Sequence, residues 1–256
     1  MEGVGAHEVV VESPDHEGRF WKYDPHHVEE IFACYRQRMA ALAEDPRLQY
    51  VLIFKNKGRE AGASLEHPHS QIIATPIVPK IVAEELAGSR RYFQQRGRCV
   101  YCAMIEEERR QNLRLVAESE RFIAFCPFAS RFPYETWLLP KAHESRFDRI
   151  DAAQLAELAA FFRDTLERLG RALSDPPYNF VLHTSPCRES PPPHYHWHFE
   201  IMPKLIRVAG FEWGTGFFIN PIAPETAAEA LRTTPVLGHA APDPDLPLFT
   251  QGALSS

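Results

Sequence analysis

Along the chain, short apolar runs of strand length alternate with turn residues, and two longer stretches carry a helical start signal. Tyr50-Val-Leu-Ile-Phe54 and Tyr178-Asn-Phe-Val-Leu182 are apolar runs that predict buried strands. Glu8-Val-Val-Val-Glu-Ser-Pro-Asp-His16 and Glu135-Thr-Trp-Leu-Leu-Pro-Lys-Ala-His143 each read as a strand leading to a histidine. Asp24-Pro25 predicts a helix start, with the aspartate as N-cap and proline at the first helical position, where its missing N–H is no loss. Asp151 holds the same place before the Ala/Leu-rich stretch 152–173. Further strands are expected at Gln71-Ile-Ile-Ala-Thr75 and near 114–118 and 121–126.

These elements repeat. His16 and His143 are 127 positions apart, and so are His67 and His194, Asp24 and Asp151, and Asn56 and His183. Four equal offsets indicate two copies of one unit, each strand–helix–strand–strand. The fold class expected is α+β, two repeats with antiparallel sheets and helices. The first half is expected over 1–96 and the second over 97–231. Residues 232–256, rich in Pro, Ala, Thr and Asp without periodicity, read as a disordered tail. The second copy opens with Cys99-Val-Tyr-Cys102, and the same offset would put a counterpart roughly 28 residues before Met1. The first repeat is therefore expected to be truncated at its N-terminus.

Hydrophobic residues at 45% and charged ones at 24% suit an ordinary globular protein, long enough for one large core or two modest ones. The net charge of −6 argues against a nucleic-acid surface or a membrane-surface stripe. No apolar run reaches the length of a membrane span, and Met-Glu-Gly-Val-Gly lacks the regions of a signal peptide. A cytoplasmic location is expected, and there a C-x-x-C points to metal or redox chemistry rather than a disulfide. Cys34, Cys126 and Cys187 are isolated and read as core or surface residues.

The candidate chemistry centres on His67-Pro-His69-Ser-Gln71. Strand alternation would put 67, 69 and 71 on one face, where three polar side chains are costly unless they bind something. Upstream, Asn56-Lys-Gly58 and Gly62-Ala-Ser64 form a glycine-containing loop able to bring backbone N–H groups to a phosphate.

The run Asn56-Lys-Gly58, Gly62-Ala-Ser64-Leu-Glu-His67-Pro-His69-Ser-Gln71 resembles the active-site signature of the galactose-1-phosphate uridylyltransferase family, a branch of the histidine-triad superfamily. The resemblance covers residues 8–222. It implies two histidine-triad-like halves, a homodimer, and a ping-pong transfer of UMP from UDP-glucose to a hexose 1-phosphate. His69 would be the nucleophile that becomes nucleotidylated, a role that suits an unprotonated imidazole near neutral pH. Gln71 would hydrogen-bond the phosphoryl oxygens, and Asn56 and Ser64 would touch phosphate or sugar. A nucleotide sugar and a sugar phosphate are then the expected partners.

The same resemblance implies metals. Cys99, Cys102, His143 and His194 would form a Cys₂His₂ zinc set, a donor combination tetrahedral zinc takes readily. His16 and His67 would be the first-half equivalents. Glu85, His183, His196 and His198 would hold a second metal, iron or zinc, the plainer alternative being hydrogen-bonded histidines. His196 matches the nucleophile by position but stands in Tyr-His-Trp-His without the glutamine, so it is assigned no catalysis. In Arg207-Val-Ala-Gly-Phe-Glu212, Phe211 and Glu212 are the implied sugar contacts, often in the partner subunit's site. The ending Gly214-Thr-Gly-Phe-Phe-Ile-Asn-Pro221 is more like a sister branch that includes ADP-glucose phosphorylase, and Phe218 stands where galactose enzymes have a glutamine. Two alternatives follow: an ADP-glucose phosphorylase or adenylyltransferase, and a truncated, non-catalytic protein that binds metal and nucleotide.

Overall fold

The apolar runs become strands of a single antiparallel sheet in the computed structural model, which describes residues 3–236. In chain order the first half contributes β1 (Ala6–Val11), α1 (Pro25–Leu42), β2 (Tyr50–Lys57) and β3 (His69–Thr75). Two helices follow, α2 (Lys80–Arg96) and α3 (Val100–Gln111). The second half then adds β4 (Leu115–Glu118), β5 (Phe122–Phe125), β6 (Thr136–Pro140), α4 (Ala152–Ala172), β7 (Tyr178–His183) and β8 (His198–Pro203). Two helices, α5 (Gly210–Thr215) and α6 (Pro224–Thr233), close the described chain.

The strand order β1-β3-β2-β7-β8-β6-β5-β4 displays the duplication. β2 and β7 pair at the centre, with Asn56 opposite Asn179 and Phe54 opposite Val181. On either side the order mirrors: β3 and β1 in one half, β8 and β6 in the other. β5 and β4 extend only the second half, and among the described residues nothing pairs with the outer edge of β1. The two repeats are thus joined into one continuous sheet through β2 and β7.

Both expected helix starts form. The Asp24 carboxylate accepts from the His26 N–H at 2.9 Å with Pro25 in the first turn. Asp151 and Gln154 make a reciprocal capping box, 2.7 and 2.9 Å. α1 and α4 cover one face of the sheet through an aromatic core, where Phe162 meets Phe32 (5.2 Å between centroids), Phe180 (5.4 Å) and Phe199 (4.7 Å). Offset and edge-on ring pairs of this kind add to the apolar area they bury. On the opposite face α2 and α3 bring Val82, Leu86, Tyr101 and Ile105 against Tyr50, Ile123, Phe125 and Leu139.

Residues 232 and 233, where the expected tail begins, form the end of α6. α6 runs to Thr233, because Ala227, Ala228 and Leu231 form a buried stripe at helical spacing. Arg168 then takes the carbonyls of Leu231, Arg232 and Thr234, groups a helix end leaves unpaired. The rest of that expected tail, 237–256, lies outside the described residues. No helix among the described residues is long and apolar enough to cross a membrane.

Candidate functional site

Two turns that need glycine shape the mouth of the first-half site. Gly58 has φ +87° and Gly62 φ +84°, a region that favours glycine, and a Cβ on Gly58 would lie 2.9 Å from Pro177. These turns carry the chain from the end of β2 to the start of β3. Between them and the His16 loop opens a cleft of about 420 Å³ whose walls include His16, Asn56, Ser64, His67 and His69. Arg19, Lys57 and Arg59 line it as well, alongside Glu17, Glu66 and Asp175; Asp175 pairs with both Lys57 and Arg19, so the wall is of mixed charge.

His69 is the first residue of β3 and is 7% exposed. Its Nδ1 donates to the His67 carbonyl at 2.8 Å, which leaves the lone pair on Nε2. That tautomer is the one a nucleophile needs. His67 lies in the bend before the strand, so the expected alternation holds for 69 and 71 but not for 67. The His67 ring turns instead toward the loop, with Nε2 donating to the Ser13 carbonyl at 2.7 Å and Nδ1 lying 3.1 Å from Nδ1 of His16. The repeat-predicted pair His16 and His67 therefore meets.

Asn56 is oriented by a residue the sequence did not single out. Asn179, opposite it on β7, donates to Asn56 Oδ1 at 2.7 Å and to the Ala61 carbonyl at 2.8 Å, freeing the Asn56 amide protons. Ser64 is exposed at the cleft rim. Gln71 is not part of the cleft wall; its Oε1 accepts from His7 Nε2 at 2.9 Å on the open face of β1 and β3. Phe211 and Glu212 also stand apart from the cleft, on α5, where the Glu212 carboxylate caps the helix through the Ala209 N–H. Beside them Trp213, Phe217 and Ile219 are exposed, an apolar row without a partner among the described residues.

Two donor clusters gather around the second-half strands, one of them with a residue from α2. Cys99 and Cys102, at the N-cap and in the first turn of α3, gather with His143 and His196, all ligand atoms within 4.8 Å of one another. His196 Nε2 donates to the Pro140 and Ala142 carbonyls (3.0 and 2.9 Å), so its Nδ1 lone pair faces the two sulfurs at 3.9 and 3.8 Å. Outer hydrogen bonds of that kind orient a metal-ligating imidazole. A hydrogen bond from Cys102 holds the Cys99 thiol well below its usual range, and that same hydrogen bond, with burial and the adjacent Cys99 sulfur, pushes Cys102 up. His143 is raised chiefly by the same Cys99 sulfur.

The expected fourth member, His194, is replaced in this cluster by His196. Residues 193–194 form a turn, so alternation along β8 does not extend back to 194. The His194 ring lies near Phe93, its Nε2 buried without a partner among the described residues, while its carbonyl is 3.4 Å from Cys99 Sγ.

Glu85, His183, His198 and Glu200 form the second cluster. His196 is absent from it, and Glu200, which follows 196 and 198 on one strand face, takes its place. Extending that alternation by one step would have found it. His198 Nδ1 donates to the His196 carbonyl at 3.1 Å, leaving a buried Nε2 that faces Glu200 and has no hydrogen-bond partner among the described residues. Burial alone would lower His183, but the Glu200 and Glu85 carboxylates, 3.5 and 3.2 Å from its ring nitrogens, raise it to about 10. His198 falls to about 4 through burial and the adjacent His183 charge. Glu200 also pairs with Arg131 at 2.5 Å, so charges alternate across the cluster. Its unsatisfied imidazole nitrogens and mixed N/O donors fit a transition metal, as the thiol–imidazole set fits zinc.

Comparison with known proteins agrees with this geometry. Residues 2–79 match the family model described as galactose-1-phosphate uridyl transferase, N-terminal domain, and residues 85–238 match the corresponding C-terminal domain. An ADP-glucose phosphorylase of Arabidopsis thaliana is 39% identical over 90% of this chain, and the chain spans 65% of that protein's length. A galactose-1-phosphate uridylyltransferase of Thermotoga maritima is 33% identical over 92% of this chain and 76% of its own. Among solved structures, an ADP-glucose phosphorylase from Arabidopsis thaliana with bound ADP-glucose superposes with a TM-score of 0.86 at 36% identity, covering 91% of this chain and 75% of that one. With both halves matched and the histidine strand in place, the chain belongs to the galactose-1-phosphate uridyl transferase family.

Proposed function

We propose that this protein is a nucleotidyltransferase that moves UMP from UDP-glucose to a hexose 1-phosphate such as galactose 1-phosphate, through a covalent nucleotidyl-His69. The observation that carries the reading is the Nδ1–H tautomer of His69 at the wall of a cleft shaped by the Gly58 and Gly62 turns. In the first step the Nε2 lone pair forms a P–N bond at the α-phosphorus, and the P–O bond to the departing sugar phosphate breaks. In the second, a phosphate oxygen of the acceptor attacks phosphorus and the P–N bond breaks, restoring the imidazole. Holding the Nδ1 proton on the His67 carbonyl spreads the charge that builds on the ring during attack. Asn56 and Ser64, with the glycine turns, offer donors to the phosphoryl oxygens. Gln71 would reach them only by leaving His7.

A second reading, an ADP-glucose phosphorylase or adenylyltransferase, is favoured by the 39% identical relative and by the Gly214–Pro221 ending. Zinc held by Cys99, Cys102, His143 and His196 would pin α3 to the β8 entry and so serve structure. A second metal, iron or zinc, at Glu85, His183, His198 and Glu200 would tie α2 to the sheet. The exposed row on and after α5, with Phe211 and Glu212, supports a homodimer in which this arm reaches the partner's cleft.

Intact-protein mass spectrometry after incubation with UDP-glucose and, separately, ADP-glucose tests the proposal. A uridylyl adduct that disappears in His69→Ala is the expected result; an adenylyl adduct instead selects the second reading. No adduct with either donor on folded, metal-loaded protein refutes transfer and leaves a non-catalytic protein that binds metal and nucleotide.

A further inference from the structure

Behind the strand that carries His69, on the face covered by α1, lies a buried chain of polar groups. The Lys55 and Glu12 side chains are 4% and 0% exposed, and Lys55 Nζ lies 2.6 Å from Glu12 Oε2. The same ammonium donates to the backbone carbonyl of His69 at 3.0 Å. The other Glu12 oxygen accepts from the hydroxyl of Ser70, and Ser70 accepts from the phenol of buried Tyr35. Burial, with the Glu12 charge added, raises Tyr35 well above its ordinary value, so it remains a donor.

A buried ion pair is a poor way to add stability, because well-packed apolar side chains in its place are often as stable or more so. What Lys55 and Glu12 supply that apolar side chains cannot is a grip on two consecutive residues of β3. One contact fixes the carbonyl of His69, the other the side chain of Ser70. Lys55 sits on β2 immediately before Asn56 and borders the cleft, so the grip and the phosphate-facing residues belong to one element.

We propose that Lys55, held by Glu12, is a positioning residue for His69: it fixes the His69 peptide so that the ring keeps its Nδ1–H bond to the His67 carbonyl and presents Nε2 to the cleft. The proposal rests on the transfer reading above for its kinetic consequence, but its structural consequence is visible without any nucleotide.

The test is the double variant Glu12→Leu/Lys55→Met, which removes both charges together and leaves neither orphaned, whereas Lys55→Met alone leaves a buried carboxylate and is expected to destabilise. The His69 tautomer is read by heteronuclear NMR on ligand-free protein, and the rate of nucleotidyl adduct formation is read at saturating donor. Wild type is expected to show a single Nδ1–H tautomer and the double variant a mixture. The adduct rate falls on the order of 10²-fold, the effect of a small misplacement of a reacting group, while the half-saturating donor concentration stays within about twofold. A folded double variant with the wild-type tautomer and rate overturns the proposal. If wild type forms no adduct with either donor, the transfer reading fails, and the tautomer comparison alone decides the positioning role. Should the double variant not fold, Glu12→Gln/Lys55→Met, which also removes both charges and the contact to the His69 carbonyl but keeps an acceptor for Ser70, carries the test: an unchanged tautomer and rate overturn the proposal.

Discussion

Asp175→Ala should destabilise the protein by about 3 kcal/mol, a sum of parts that can be separated. The carboxylate links the two repeats: it pairs with Lys57 at 2.7 Å and Arg19 at 3.1 Å and accepts from the Trp21 indole N–H at 3.0 Å. The indole bond contributes about 1 kcal/mol. The Lys57 pair, partly buried on both sides, adds about 1 kcal/mol, and the more exposed Arg19 only a few tenths. Asp175 also has φ +59°, which aspartate tolerates and alanine does not, for about 1 kcal/mol more. Asp175→Asn keeps the backbone tolerance and an acceptor for Trp21 and should lose only about 1 kcal/mol. Urea denaturation at pH 7, followed by tryptophan emission, measures both, with the midpoint shifting at constant slope. Burial works to raise the Asp175 carboxyl, but Lys57 and Trp21, then the Lys57 and Arg19 charges, hold it below its ordinary value. Its contribution is therefore complete above the unfolded carboxyl range near pH ~4 and is lost as pH falls below it, so wild type and Asp175→Asn should converge in acid. An Asp175→Ala loss under about 0.5 kcal/mol, or an asparagine variant as unstable as the alanine one, would refute the reasoning.

Other outcomes are equally definite. Phe32→Ala, in the fully buried ring cluster with Phe162 and Phe199, should cost about 3–5 kcal/mol by chemical denaturation. Asp151→Ala should cost about 1 kcal/mol by losing the α4 capping box, while Asp151→Ser should recover most of it. Cys99→Ser should remove one equivalent of zinc by elemental analysis and lower Tm, and wild type treated with chelator should melt like the variant; unchanged metal content would exclude the thiol cluster as a zinc site. Trp213→Ser should leave the Tm of the isolated chain unchanged but shift sedimentation toward monomer, and an unaltered dimer would remove the arm from the interface.

Local signals made much of this molecule legible from its sequence. Asp24-Pro25 and Asp151 announced α1 and α4 because N-cap chemistry is satisfied within three or four residues. The apolar runs at 50–54 and 178–182 became β2 and β7, since strands buried on a sheet interior need no partner information to be recognised. The equal spacing of His16/His143 and His67/His194 exposed the duplication, and the mirrored strand order shows it in space. The polar helix α2 gave no such signal, because only a thin stripe, Val82 and Leu86 among it, is buried.

Residue types and spacing along one chain determined the repeat, the helix starts, the histidine strand and the family. Which donors converge was decided by tertiary structure. The 193–194 turn rotates His194 out of the thiol cluster and brings in His196, and α2 carries Glu85 to His183, 98 positions away in sequence. Likewise, Asn179 reaches Asn56, and Lys55 reaches both Glu12 and the His69 carbonyl, only because β1, β3, β2 and β7 lie side by side. Alternation fixes the face on which a side chain emerges, but strand order and turns fix which neighbour it meets, and those depend on contacts across the whole sheet.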